Sequence, residues 1–156
     1  MENKETIEDN YKRAVAGLNA IVLNDKDLWY SYIINLPTHL QVTYTIIVFH
    51  QQVFNGGLHQ YFFNSYGQFA YLTLDHLRLI KAWTTADILC RALKKVNIEG
   101  YSLYEFRDRV YNRQLDRIVN FEVILGDSLN RLDSEYDSLN ENVEQLLLEY
   151  LNNTCK

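Results

Sequence analysis

The sequence predicts an all-α fold: one compact domain over residues 1–156, with about seven to eight helices and a buried central helix near 38–54. Three observations carry that expectation. Apolar residues recur at helical spacing along most of the chain. Five positions place Ser, Thr or Asn three residues ahead of an acid, which caps a first turn and suits its positive dipole end. Turn formers are scarce, with 1 Pro and 6 Gly among 156 residues, too few for the tight turns of a sandwich or barrel.

The elements follow in order. Thr6–Asp9 opens a helix with the stripe Tyr11, Val15, Leu18 and Val22. Asn24–Asp27 opens one through Leu28, Tyr32, Ile33 and Leu36. Val42–Phe49 is rich in β-branched and aromatic residues and has strand propensity. Yet Leu40, Tyr44, Ile47, Val48 and Phe54 fit one helix face, and Val42, Ile46, Phe49 and Val53 fit another. A helix apolar all round is a buried one, so Thr38–Phe54 is assigned as helix, with Pro37 near its first turn. Gly56-Gly57 ends it, and a short helix over Leu58–Asn64 stops near Gly67. Gln68–Ala82 follows through Phe69, Leu72, Leu77 and Ile80. Thr84–Asp87 opens a helix through Leu89, Leu93 and Val96, and Ser102–Glu105 one through Leu103, Phe106 and Val110. From Leu115 to Asp137 the period runs through Ile118, Phe121, Ile124, Leu125, Leu129 and Leu132, with a break or bend at Gly126. Ser138–Glu141, a capping box like Ser102–Glu105, opens the last helix through Leu139, Val143, Leu146, Leu147 and Tyr150.

At 47% hydrophobic residues the chain is long enough to bury a core without staples. Cys90 and Cys155 show no CxxC or metal spacing, which points to a reducing compartment. The start MENKETIEDNYKR is too polar for a signal peptide, and the apolar run around Thr45–Phe49 is too short for a membrane span. A cytoplasmic protein with no membrane association is expected. Glycine-rich phosphate loops are missing, and His39, His50, His59 and His76 lie too far apart for a metal motif. No catalytic residue, metal or cofactor is assigned. Ser65 lacks a nucleophile elbow, and Cys90 is expected in the core.

The net charge of −5 is unevenly placed. Residues 115–151 carry nine acids against Arg117 and Arg131, a net −7, while residues 78–113 carry eight bases against four acids, a net +4. Such asymmetry concerns partners rather than fold. The acids in the basic stretch, together with the overall charge, argue against direct nucleic-acid binding.

The least ordinary stretch is NGGLHQYFFNSYG, residues 55–67. Glycines bracket little more than two turns of helix, so the chain can reverse at both ends. Gln60 and Asn64, four apart, share one face. The amides can hydrogen-bond backbone ends at the two turns, or line a small-molecule pocket beside Tyr61, Phe62 and Phe63. The run Asn55, Gly56, Gly57, Gln60, Tyr61, Phe62, Asn64, Ser65 and Gly67, followed by Ile80-Lys81-Ala82, resembles the bacterial DNA-mimic protein family, largely described as a domain of unknown function. Its hallmark is NGGF-x-QYF-x-NS-x-G, then a segment like IGA. The acidic RLDSEYDSL and LLLEYL of residues 131–151 also look like that family's C-terminal part. The resemblance covers roughly Leu36 to Leu151. Leu58 stands for the usual Phe, and Lys81 for the usual Gly, which suggests a more regular helix end there.

The resemblance implies an all-helical fold and competition with DNA for a DNA-binding protein. The motif holds no acidic residue, so mimicry belongs to an acidic surface. The candidates are Asp133, Glu135, Asp137, Glu141 and Glu144, and neutralising Asp133, Glu135 and Glu144 is expected to leave the fold intact. Acids on an amphipathic helix ordinarily form a solvated face, which is the plain alternative. The leading functional class is a non-enzymatic interaction protein. The second is a small-ligand module or enzyme with a pocket beside Asn55–Gly67.

Overall fold

In the computed structural model, which describes residues 6–120 and 125–154, Val42–Phe49 is helical despite its strand propensity, and all of it is buried. A strand there would need a partner for its backbone groups, whereas a helix satisfies them internally. Among the described residues there is no strand, and eight helices have seven residues or more. In chain order the described helices are α1 Ile7–Val15, α2 Ala20–Leu23, α3 Lys26–Ile34, α4 Thr38–Phe63, α5 Ala70–Leu79, α6 Trp83–Val96, α7 Leu103–Tyr111, α8 Asp116–Val119, α9 Gly126–Asp137 and α10 Val143–Thr154, and of these α2 and α8 are single turns outside the eight. A 3-10 turn, Tyr66–Phe69, links α4 to α5. Phe121, Ile124, Glu122 and Cys155 lie outside the described residues.

Helix α4 is the spine, and its two apolar faces serve two cores. Val42, Ile46, Ile47, Phe49 and Val53 join the larger one with α5, α6, α7, α9 and α10. Leu40, Tyr44 and Val48 join a smaller one with Ala14, Trp29, Ile33 and Phe69. There Trp29 packs edge-on against Phe69, with ring centroids 5.5 Å apart, and its indole Nε1–H donates to the Tyr44 hydroxyl at 3.1 Å. Burial of aromatic rings with their polar tips satisfied is what a Tyr-rich composition requires. Two assignments differ. Ile47 packs into the larger core, away from Leu40 and Tyr44. Phe54, placed by the period on a buried face, is 76% exposed.

The helix starts divide. Thr6 and Ser102 cap α1 and α7 as expected, accepting from Asp9 N–H at 3.0 Å and Glu105 N–H at 3.3 Å. Asn24 instead ends α2, and Asp25 caps α3 by accepting from the N–H groups of Asp27 and Leu28. Ser138 lies at the C-terminal end of α9, and Asn142 caps the last helix by accepting from Gln145 N–H at 3.0 Å. Thr84 falls inside α6, whose first turn has no cap from its own segment. Gly126, expected to break or bend a helix, begins α9. Cys90 is half-buried against the larger core rather than within it.

The end of α5 departs from expectation for a clear reason. Ala82 N–H donates to Leu77 C=O at 2.8 Å and Lys81 N–H to Arg78 C=O at 3.0 Å, the paired bonds of a Schellman ending. That ending needs a left-handed residue, and Lys81 supplies it with φ +66°. The glycine-type turn is kept although lysine occupies it. No helix among the described residues is long and apolar enough to cross a membrane.

Candidate functional site

The glycine pair sits inside α4 and breaks its hydrogen-bond ladder. Gly57 has φ 77° and ψ −178°, a backbone region open essentially to glycine alone. The break frees the Leu58 N–H, and Asp133 on α9 takes it through Oδ1 at 2.8 Å. A Cβ on Gly57 would lie 2.5 Å from Asp133 Oδ2. Two features 75 residues apart thus form one joint. Burial raises the Asp133 carboxyl above its usual range, opposed by the Leu58 N–H, which favours the ionised form, and reinforced by nearby Asp137.

The rest of the motif is engaged internally. The side-chain amides of Gln60 and Asn64 both donate to Gln52 Oε1, at 3.2 and 3.0 Å. Tyr61 is buried with its hydroxyl 3.2 Å from Thr73 Oγ1, and burial pushes its phenol well above the ordinary range. Phe62 is fully buried, and a Cβ on Gly67 would come within 2.8 Å of the Phe62 Cα. Ser65 adopts φ 64°, and its hydroxyl donates to Tyr111 C=O at 3.4 Å. Asn55 is exposed at the kink.

The five candidate acids do not form one uniform face. Asp133 holds the kink. Both oxygens of Glu135 meet the Arg91 guanidinium, which also reaches Asp87 Oδ2 at 2.8 Å. That guanidinium holds the Glu135 carboxyl below its usual range. Glu141 reaches the start of α6, where its Oε2 accepts from the Thr85 N–H and hydroxyl, each at 2.7 Å, and Oε1 accepts from the Thr84 N–H at 3.2 Å. It therefore caps a helix other than the one its sequence spacing suggested, placing a carboxylate at that helix's positive end. Asp137 and Glu144 are exposed. Asp137 has no hydrogen bond or ion pair with a described residue, and Glu144 lies 3.8 Å from His50 Nε2.

Both of these acids border a groove of about 490 Å³, together with His50, Phe54, Tyr136 and Asn142. No motif residue lines it, and none of its described lining residues is Lys or Arg. Phe54 stacks beside His50 with ring centroids 6.4 Å apart, leaving most of its surface open. Tyr136 is buried, and its hydroxyl shares a short hydrogen bond with His50 Nδ1. Burial and the charges of Asp137 and Glu144 raise the Tyr136 phenol above its usual range. Sequence reasoning missed the groove. His50 and Phe54 are four apart on one helix face, a usable signal, but Tyr136 arrives from 86 residues away in sequence relative to His50.

A family model described as DMP19-like protein matches residues 34–154. The chain belongs to this family of DNA-mimic proteins. The matched span runs from the end of α3 to the end of α10 and includes the kink, its Asp133 partner and the groove. No curated protein and no solved structure matches the chain. Among the described residues, no three His, Cys, Asp or Glu side chains are grouped as a metal ion would need.

Proposed function

We propose that this protein is a DNA-mimic regulator that acts in the cytoplasm by binding, presenting acidic side chains to a DNA-binding protein and competing with DNA for it. Membership of the DNA-mimic family across 34–154 carries this reading. The distribution of acids supports it. Asp127, Asp137 and Glu144 are exposed on α9 and the start of α10, where a basic surface can reach them. Asp133, Glu135 and Glu141 are also acidic, but their carboxylates already have partners in the fold.

Attraction between opposed charged faces speeds encounter and weakens with salt, because screening shortens the field to about 8 Å at physiological ionic strength. The test is competition. The wild-type protein should release a DNA-binding partner, captured from its native lysate at low salt, from labelled DNA. The Asp127→Asn, Asp137→Asn, Glu144→Gln variant should fail to do so while keeping its helical spectrum. Equal release by the neutralised variant, or no effect of salt on release, overturns the proposal.

A further inference from the structure

We infer that the groove between α4 and the α9–α10 connection is a receptor for an arginine side chain of the partner, a reading that rests on the proposed mimicry and names its point of contact. Three independent features define the occupant. Phe54 offers an open ring face at 76% exposure, where a soluble helix normally places a polar residue. Asp137 and Glu144 supply carboxylates on the same groove, none of its described lining residues is Lys or Arg, and its one imidazole, His50, stands 3.8 Å from Glu144. The space, about 490 Å³, is concave rather than a flat acidic surface. An aromatic face attracts a cation, and carboxylates attract its charge. A guanidinium fits both demands better than an ammonium: it stacks flat on a ring and forks two N–H bonds to a carboxylate. The Glu141 carboxylate also borders the groove, but its oxygens are bonded to Thr84 and Thr85, so the acids that face a guest are Asp137 and Glu144, the latter 3.8 Å from His50 Nε2.

The site also gives mimicry a physical form. Proteins that bind DNA insert Arg into narrow minor grooves because the negative potential is concentrated there. A walled groove with two carboxylates and an aromatic ring presents the same kind of target, with the ring adding stacking.

Binding of short capped oligoarginine and oligolysine peptides of equal length to the full chain, followed by calorimetry, tests this. Arginine should bind about fivefold more tightly than lysine, the share that flat stacking of a guanidinium on the Phe54 ring adds. Phe54→Ala and Phe54→Leu, both at an exposed position, should remove that preference and leave a weaker, salt-sensitive attraction to either peptide. Asp137→Asn with Glu144→Gln should weaken both peptides. Equal binding of the two peptides by the wild type, or an arginine preference that survives Phe54→Ala and Phe54→Leu, overturns the inference. Capture of a DNA-binding protein separates the two readings. If both Phe54 variants capture it as well as the wild type does, the groove inference fails and the mimic reading stands. If the arginine preference is found and no DNA-binding protein competes with the peptide, the groove stands and the mimic reading fails.

Discussion

The glycine kink and the acidic segment are both visible in the sequence, the kink more sharply, yet the fold uses them differently. At the kink almost every polar group is bonded within the molecule: Gln60 and Asn64 to Gln52, Tyr61 to Thr73, and Leu58 N–H to Asp133. In the acidic segment the roles divide. Asp133, Glu135 and Glu141 bond to other elements, while Asp137 and Glu144 remain at an open groove. A distinctive motif can therefore be a fold device, and groups left without such duties are better guides to binding.

The sharpest way to break this contrast is at the kink. Gly57→Val forces a branched side chain into φ 77° and against Asp133. Urea denaturation should show a loss of about 3 kcal/mol, the upper part of the range for backbone strain. A loss near zero would mean that the kink does not depend on glycine. Asp133→Ala should come next. It leaves the Leu58 N–H without its partner, at a cost of about 2 kcal/mol in the same measurement. Asp133→Asn, which keeps an acceptor oxygen for the Leu58 N–H, should cost less in the same measurement.

Lys81→Gly should act in the opposite direction and raise the melting temperature. A non-glycine residue in the left-handed region costs about 1 kcal/mol, and Lys81 sits there at φ +66°. Unchanged or lowered stability would show that the lysine side chain offsets its own strain. The smallest stability effect belongs to the groove. Asp137→Asn with Glu144→Gln should leave thermal unfolding within about 0.5 kcal/mol of wild type, as exposed charges without a fixed partner usually do. A large loss would move these acids into the same structural class as Asp133.

The fold class was legible because it depends on local signals that add up. The periods of Val42–Val53 placed both buried faces of α4 nearly correctly, and Thr6 and Ser102 marked real helix starts. Errors came where two candidates of similar chemistry lay side by side, as with Asn24 and Asp25, or where a cap came from elsewhere in the chain, as with Glu141 on α6. Sequence spacing cannot separate a carboxylate that caps its own helix from one that caps another.

By itself, the sequence determined the helical class, the buried central helix, the need for glycine at a sharp turn, and the resemblance that the family match places on firm ground. These depend on backbone preference and on the alternation of apolar and polar residues, both written along the chain. Only the tertiary structure decided that Asp133 meets the kink, that Arg91 neutralises Glu135, and that Phe54 stays open beside Tyr136, Asp137 and Glu144. Those outcomes depend on which elements pack together across separations of 44 to 86 residues, as for Arg91–Glu135 and His50–Tyr136. Over such distances the chemistry of a side chain leaves its choice of partner open, and packing makes the choice.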